Sequence, residues 1–84
     1  MVRVNFGIIS TGRVNSIQIT DYFTSIGIKH PFFGTGDKGA VYWVDEYGTV
    51  RCDSQKLLVP KNILLFNSIE EHKNYKSINE IVIW

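Results

Sequence analysis

The chain has 84 residues, nine basic and eight acidic, for a net charge of +1, with 44% hydrophobic residues and a single cysteine. Surface scaling gives roughly 5,100 Å² folded against about 13,900 Å² unfolded, enough burial for one modest core and no second domain. The composition excludes a disulfide framework and a multi-cysteine zinc site, a disordered profile, and a bulk electrostatic pull toward nucleic acid or anionic membrane.

Residues 2–9 alternate, with Val2, Val4, Phe6 and Ile8 on one face and Arg3 and Asn5 on the other, which predicts a half-buried strand. Ser10-Thr11-Gly12-Arg13 breaks it. Ile19, Tyr22, Phe23 and Ile26 then recur at helical spacing. Asn15 or Ser16 suits the N-cap of that helix, and Gly27 suits its end. Ile28–Gly39 holds Pro31 and three glycines and is expected to be loop. Val41–Val44 and Thr49–Cys52 flank Asp45-Glu46-Tyr47-Gly48, the pattern of a hairpin with a type I turn and a glycine bulge. The expected register sets Trp43 opposite Val50 and Val41 opposite Cys52, with Tyr42, Val44, Thr49 and Arg51 on the other face. Leu57–Val59 and Ile63–Phe66 read as one strand or a bent pair around Pro60. Ser68-x-x-Glu71 is a capping box for a short second helix of about two turns, its charges ordered to suit the helix dipole. Ile81–Trp84 is β-prone.

The expected fold is therefore α+β: a small, mostly antiparallel sheet of about five strands with two helices, in an order compatible with the ferredoxin-like β-α-β-β-α-β arrangement. The alternative is a small, partly open β-barrel with a flanking helix. Residues 1–84 read as a single domain. The opening residues lack a signal-peptide pattern and no stretch nears the roughly 18 apolar residues of a membrane span, so a soluble, cytoplasmic protein is expected. Alanine occurs once, while Ile, Lys, Asn, Phe and Tyr make up 32 of the 84 residues. These five have A/T-rich codons, which suits a phage, prophage or other A/T-rich bacterial source.

Gly34-Thr35-Gly36-Asp37-Lys38-Gly39 is a G-x-G-x-x-G. A Rossmann fingerprint needs a strand before it and a helix after it, whereas here a strand follows. A kinase-type glycine loop suits that context better, and Val41 extends the match, but the chain leaves no room for the catalytic parts that would follow. Two readings stay open: phosphate or nucleotide held by Gly34, Gly36, Lys38 and Gly39, or a loop with turn glycines and solvated Asp37 and Lys38.

Gly12-Arg13-Val14-Asn15 and Trp43-Val44…Gly48-Thr49-Val50 resemble the phosphate cradle and hairpin of the acylphosphatase family. Thr20 stands where that family has its phosphate-binding arginine, and Glu46 where it has its catalytic asparagine, so the resemblance does not imply the activity.

Nucleophilic catalysis needs a nucleophile, a base and an orienting group. His30 lies in a loop, His72 reads as a solvated helix residue, and Cys52 reads as a buried, inert thiol on the apolar hairpin face. Asp45-Glu46 and Glu70-Glu71 have adequate turn and helix-start roles, and with Asp53 they offer an acidic surface. Tyr42 and Arg51 are the best candidates for stacking on a nucleic acid, against a packed cross-strand pair. Phe32 and Phe33 either cover the core or anchor a protein contact. The resulting expectation is a non-enzymatic binding protein without cofactor or metal. Its partner is expected to be another protein rather than membrane or nucleic acid, met through Phe32, Phe33, Tyr42 and Arg51. Self-association through an Ile81–Trp84 edge strand is a further option, and an accessory or inhibitor protein of a phage or mobile element is one concrete form.

Overall fold

A computed structural model describes residues 3–28, 34, 36–45, 47–53, 59–61, 63–79 and 82–83. The elements in chain order are β1 (Arg3–Val4), β2 (Phe6–Ile9), α1 (Arg13–Ser25), β3 (Val41–Val44), β4 (Val50–Asp53), β5 (Leu64–Phe66), α2 (Ile69–Asn79) and β6 (Val82–Ile83). The fold is α+β, with two helices and a four-stranded open sheet in the order β4-β3-β2-β5. Because β4 and β5 are both edges, the barrel alternative falls. The sheet is mixed: β2 runs antiparallel to β3 and parallel to β5. The ferredoxin-like order is interrupted at β5, which takes the place beside β2. The terminal strand joins β1 instead, with Arg3 opposite Val82 and Val4 opposite Ile83. Within the Ile81–Trp84 segment, Ile81 and Trp84 lie outside the described residues.

One face of the sheet carries Phe6 and Ile8, Tyr42 and Val44, Val50, and Phe66. These residues form a single core with Ile19 and Phe23 of α1, together with Ile28 and Ala40. The helical spacing of Ile19, Tyr22, Phe23 and Ile26 does the work expected of it. Ile19 and Phe23 are fully buried, and Tyr22 and Ile26 pack at the margin. Fully burying side chains of this kind stabilises by roughly 1.5–3 kcal/mol each, so this stripe is what attaches α1.

Helix α1 begins earlier than Asn15 or Ser16. Its N-cap is Gly12, at φ 155, with no side-chain cap. Asn15 Oδ1 accepts the Thr11 amide instead, at 2.9 Å, and Ser16 turns inward. Gly27, at φ 87, follows the helix as expected. Ser68 caps α2 as expected, the Glu71 amide donating to its Oγ at 3.1 Å, while the Glu71 carboxylate accepts from the Asn67 side-chain amide at 3.5 Å. The helix runs 11 residues, about a turn longer than expected.

The hairpin register differs from expectation by one residue. The pairs are Val44 with Val50, Trp43 with Arg51, Tyr42 with Cys52 and Val41 with Asp53. Gly48 sits at φ 76 and its amide donates to Asp45 O, while the Asp45 amide donates to Thr49 O. Gly48 and Thr49 together thus oppose Asp45, and the bulge uses one residue more than the expected register allowed. A one-residue slip turns the side chains of one strand over relative to its partner, here those of β3 relative to β4. Tyr42 and Val44 therefore join Val50 in the core, and Trp43 joins Arg51 on the opposite face.

That opposite face is apolar along part of its width. Across β4, β3, β2 and β5 it reads Arg51, Trp43, Gly7 and Leu65. Trp43 is buried. A Cβ on Gly7 would meet Trp43 Cβ at 2.9 Å and Leu65 Cδ2 at 3.0 Å, so glycine is what lets these two side chains close over β2.

Candidate functional site

The glycine loop is bound to the protein by its own amides. Gly34 N–H donates to Thr20 Oγ1 at 3.2 Å, Gly36 N–H to the Tyr42 hydroxyl at 2.8 Å, and Gly39 N–H to Ser10 O at 2.8 Å. The close approach needs glycine at two of these positions. A Cβ on Gly34 would overlap the Ser16 carbonyl, and one on Gly36 would meet Ala40 Cβ at 2.6 Å and the Tyr42 hydroxyl at 2.8 Å. A phosphate cradle needs amides turned toward the ligand, whereas these three turn toward α1, β3 and the end of β2. Lys38 is exposed, and Asp37 reaches Arg13 Nε across 3.0 Å in an exposed ion pair.

Beneath this loop lies a cluster of buried hydroxyls. Ser10 Oγ and Ser16 Oγ are 2.6 Å apart, and they also reach Gly12 O and Gly36 O, each at 2.7 Å. Two hydroxyl protons thus serve three acceptor contacts. Thr20 Oγ1 returns its proton to its own helix, to Ile17 O at 3.0 Å and Ser16 O at 3.3 Å. Burial raises the Tyr42 pKa above its ordinary value, against the opposing effect of the Ser16 and Gly36 hydrogen bonds. The phenol stays neutral.

Cys52 is exposed, which corrects the expectation of a buried thiol. It pairs across the hairpin with Tyr42 at the sheet's edge. Partial shelter of its sulfur raises the thiol pKa, and the neighbouring Asp53 adds to this, while the Tyr42 hydroxyl opposes it. A reactive thiolate is the opposite case.

His72 is not solvated. It is fully buried, stacked on Phe6 with centroids 4.0 Å apart, and edge-on to Phe66 at 5.2 Å. Its Nδ1 lies 2.6 Å from the Tyr22 hydroxyl, and its Nε2 has no hydrogen-bond partner. Burial, reinforced by the Lys76 charge, pushes its pKa down to about 4. The sequence does hold a sign of this, since Ile69, His72 and Tyr75 recur every third residue on the side of α2 that meets the core. The charges on either side of His72 obscured it.

The structure does not bring Tyr42 and Arg51 together. Tyr42 is fully buried, whereas Arg51 is exposed on the other face with Nε 2.9 Å from Asp45 Oδ2. Asp45 Oδ1 also accepts the Tyr47 and Thr49 amides, each at 2.9 Å. Burial works against ionisation of this carboxyl, but the Thr49 amide, the Arg51 guanidinium and the Tyr47 amide outweigh it and hold the pKa below its ordinary value. Asp45 is thus a turn-closing residue, and Glu46 lies outside the described residues. So do Phe32, Phe33 and His30.

The surface shows residues that periodicity had passed over. Val14 is 73% exposed and Ile17 is 48% exposed. They lie one turn apart on α1, and Ile17 points away from the Ile19–Phe23 stripe. Arg13 and its partner Asp37 stand at one end of this pair, and Gln18 and Asp21 continue the polar outer face. Among the described residues no group of three His, Cys, Asp or Glu side chains could hold a metal ion, and no helix is long and apolar enough to cross a membrane. Comparisons with models of protein families, with curated proteins and with solved structures find no match.

Proposed function

We propose that this chain is a small non-enzymatic module that binds another protein through the outer face of α1. The observation that carries the reading is the Val14–Ile17 pair: two β-branched side chains, adjacent on a rigid helix, facing solvent and edged by the Arg13–Asp37 ion pair. An apolar centre with a polar rim is the anatomy of a protein contact. The groups that catalysis would recruit support the same reading. His72 is sealed under Phe6 and Phe66, and the Cys52 thiol is shifted away from thiolate. The inward amides of Gly34, Gly36 and Gly39 favour a structural loop over a phosphate site. Phe32 and Phe33 remain part of the proposed contact as adjacent aromatics in the sequence. An accessory or inhibitor protein of a phage or mobile element, acting in the cytoplasm, is the concrete form proposed.

Affinity purification from the native host, with the wild type and a Val14→Asp/Ile17→Asp variant in parallel, tests this. A partner retained by the wild type and lost by the folded variant is expected. Equal retention removes α1 from the contact. Turnover in a hydrolase and phosphatase panel ends the non-enzymatic reading. A nucleotide-induced rise in melting temperature that Lys38→Ala abolishes moves the function to the loop.

A further inference from the structure

Helix α2 is attached to the rest of the protein by a narrow contact. Among its described side chains only His72 is fully buried, Ile69 and Tyr75 are half-buried, and the others are exposed. The imidazole is therefore the centre of the docking surface, lying flat on Phe6 with an interplanar angle of 6° and edge-on to Phe66. A neutral imidazole has one N–H and one lone pair. With the Tyr22 hydroxyl engaged at Nδ1, the Nε2 side is bare in either tautomer.

Proton uptake makes both ring nitrogens donors and places a charge against two phenyl rings. The surrounding groups do little to receive it. From α1 comes Tyr22, whose phenol is kept neutral by burial and by the nearby Glu70 carboxylate. From α2 itself, Lys76 opposes a positive ring, and Lys73 Nζ lies 5.6 Å from the centre of the Tyr22 ring. The strands β2 and β5 present Phe6 and Phe66 and contain no ionisable residue. Tyr75, from α2, packs on Phe66 at 5.3 Å.

We propose that His72 is an acid-sensitive latch: its neutral ring holds α2 against β2, β5 and α1, and protonation releases the helix and uncovers Phe6 and Phe66. The folded pKa of about 4 lies below the ordinary 6.5. Between these values the unfolded or released state binds the proton and the docked state does not. The docking contribution is therefore complete above about pH 6.5 and is lost as the pH falls toward 4. The gap corresponds to roughly a 300-fold fall in the docking equilibrium constant.

An NMR titration of the imidazole in the intact protein tests the first half, with a midpoint well below 6 expected and a midpoint near 6.5 overturning it. Hydrogen exchange at pH 7 and pH 4.5, corrected for the intrinsic pH dependence of exchange, tests the second. The amides of α2 are expected to lose protection well before those of β3. Equal loss in both elements, or none in α2, overturns the latch. A Tyr22→Phe/His72→Phe variant keeps an aromatic ring at each position and removes the titrating pair, so its α2 protection is expected not to change over this range. A loss as large as in the wild type would overturn the proposal.

Discussion

Two groups of polar side chains are buried beneath the same sheet face, and they are resolved in opposite ways. Around Ser10, Ser16, Thr20 and Tyr42, each hydroxyl meets a backbone group of the glycine loop, of α1 or of its N-cap Gly12, and the Gly34 and Gly36 amides bond to two of them. At the other end, Tyr22 and His72 satisfy each other at one atom and leave Nε2 bare. A completed polar network rigidifies what it joins, whereas an incomplete one is the weak place in a core. The first therefore clamps a loop that has little apolar surface of its own, and the second leaves a helix whose attachment depends on pH.

The comparison can be broken most severely at Gly34. A Cβ there runs into the Ser16 carbonyl, which is helix backbone and cannot step aside. Gly34→Ala is expected to destabilise by about 3 kcal/mol or more, measured by urea unfolding, while α2 keeps its His72 contacts. An unchanged midpoint would mean that the loop is not clamped. Next in size is acid. Because the His72 pKa is lowered, unfolding free energy should fall by up to about 3 kcal/mol between pH 6.5 and pH 4. Asp45 has the same sign in a lower window: its contribution is present above its ordinary value of 3.8 and is lost as the pH falls through its depressed folded value. The two can thus be separated by pH alone.

Tyr42→Phe sharpens the contrast by making the complete network incomplete. It strips the acceptor from Gly36 N–H and is expected to destabilise by about 2 kcal/mol; a cost near zero in thermal unfolding would show that water replaces the phenol. Asp45→Ala releases the Tyr47 and Thr49 amides at an expected loss of about 1 kcal/mol, again by urea unfolding. The Val14→Asp/Ile17→Asp pair changes only exposed side chains and leaves the Ile17 carbonyl in place for Thr20. Stability should stay within about 0.5 kcal/mol, so any loss of partner binding reports on the surface alone.

How much of this was legible in the sequence follows from the range of each interaction. The α1 stripe, the Ser68 cap and the Asp45–Gly48 turn are local signals, and each appears where expected. The hairpin's facing is not local in the same sense. One bulge residue decides whether Tyr42 or Trp43 enters the core, and both are aromatic enough for either face. His72 was hidden because Glu71 and Lys73 mark their own exposure and say nothing about the residue between them. The spacing of Gly34 and Gly36 marks a loop, yet the reason for these two glycines lies in Ser16, Ala40 and the Tyr42 hydroxyl, whereas Gly39 answers to its own positive φ. Val14 precedes the expected N-cap at Asn15 or Ser16, and Ile17 lies off the Ile19–Ile26 stripe, so neither belongs to the periodic pattern.

The pairing of Phe6 with Leu64 and of Arg3 with Val82 has a consequence for how the molecule is made. β2 is an inner strand, but one of its two neighbours, β5, follows only after both strands of the hairpin. Closing such distant pairs costs loop entropy before any contact compensates for it, which places this topology among the slower-folding small domains. During synthesis β2 can take up the β3–β4 hairpin early, while its β5 side waits as an open edge until Leu64–Phe66 has been made. In that interval Phe6 and Ile8 lack part of their cover, and the nascent chain is at its most prone to pairing with a neighbour.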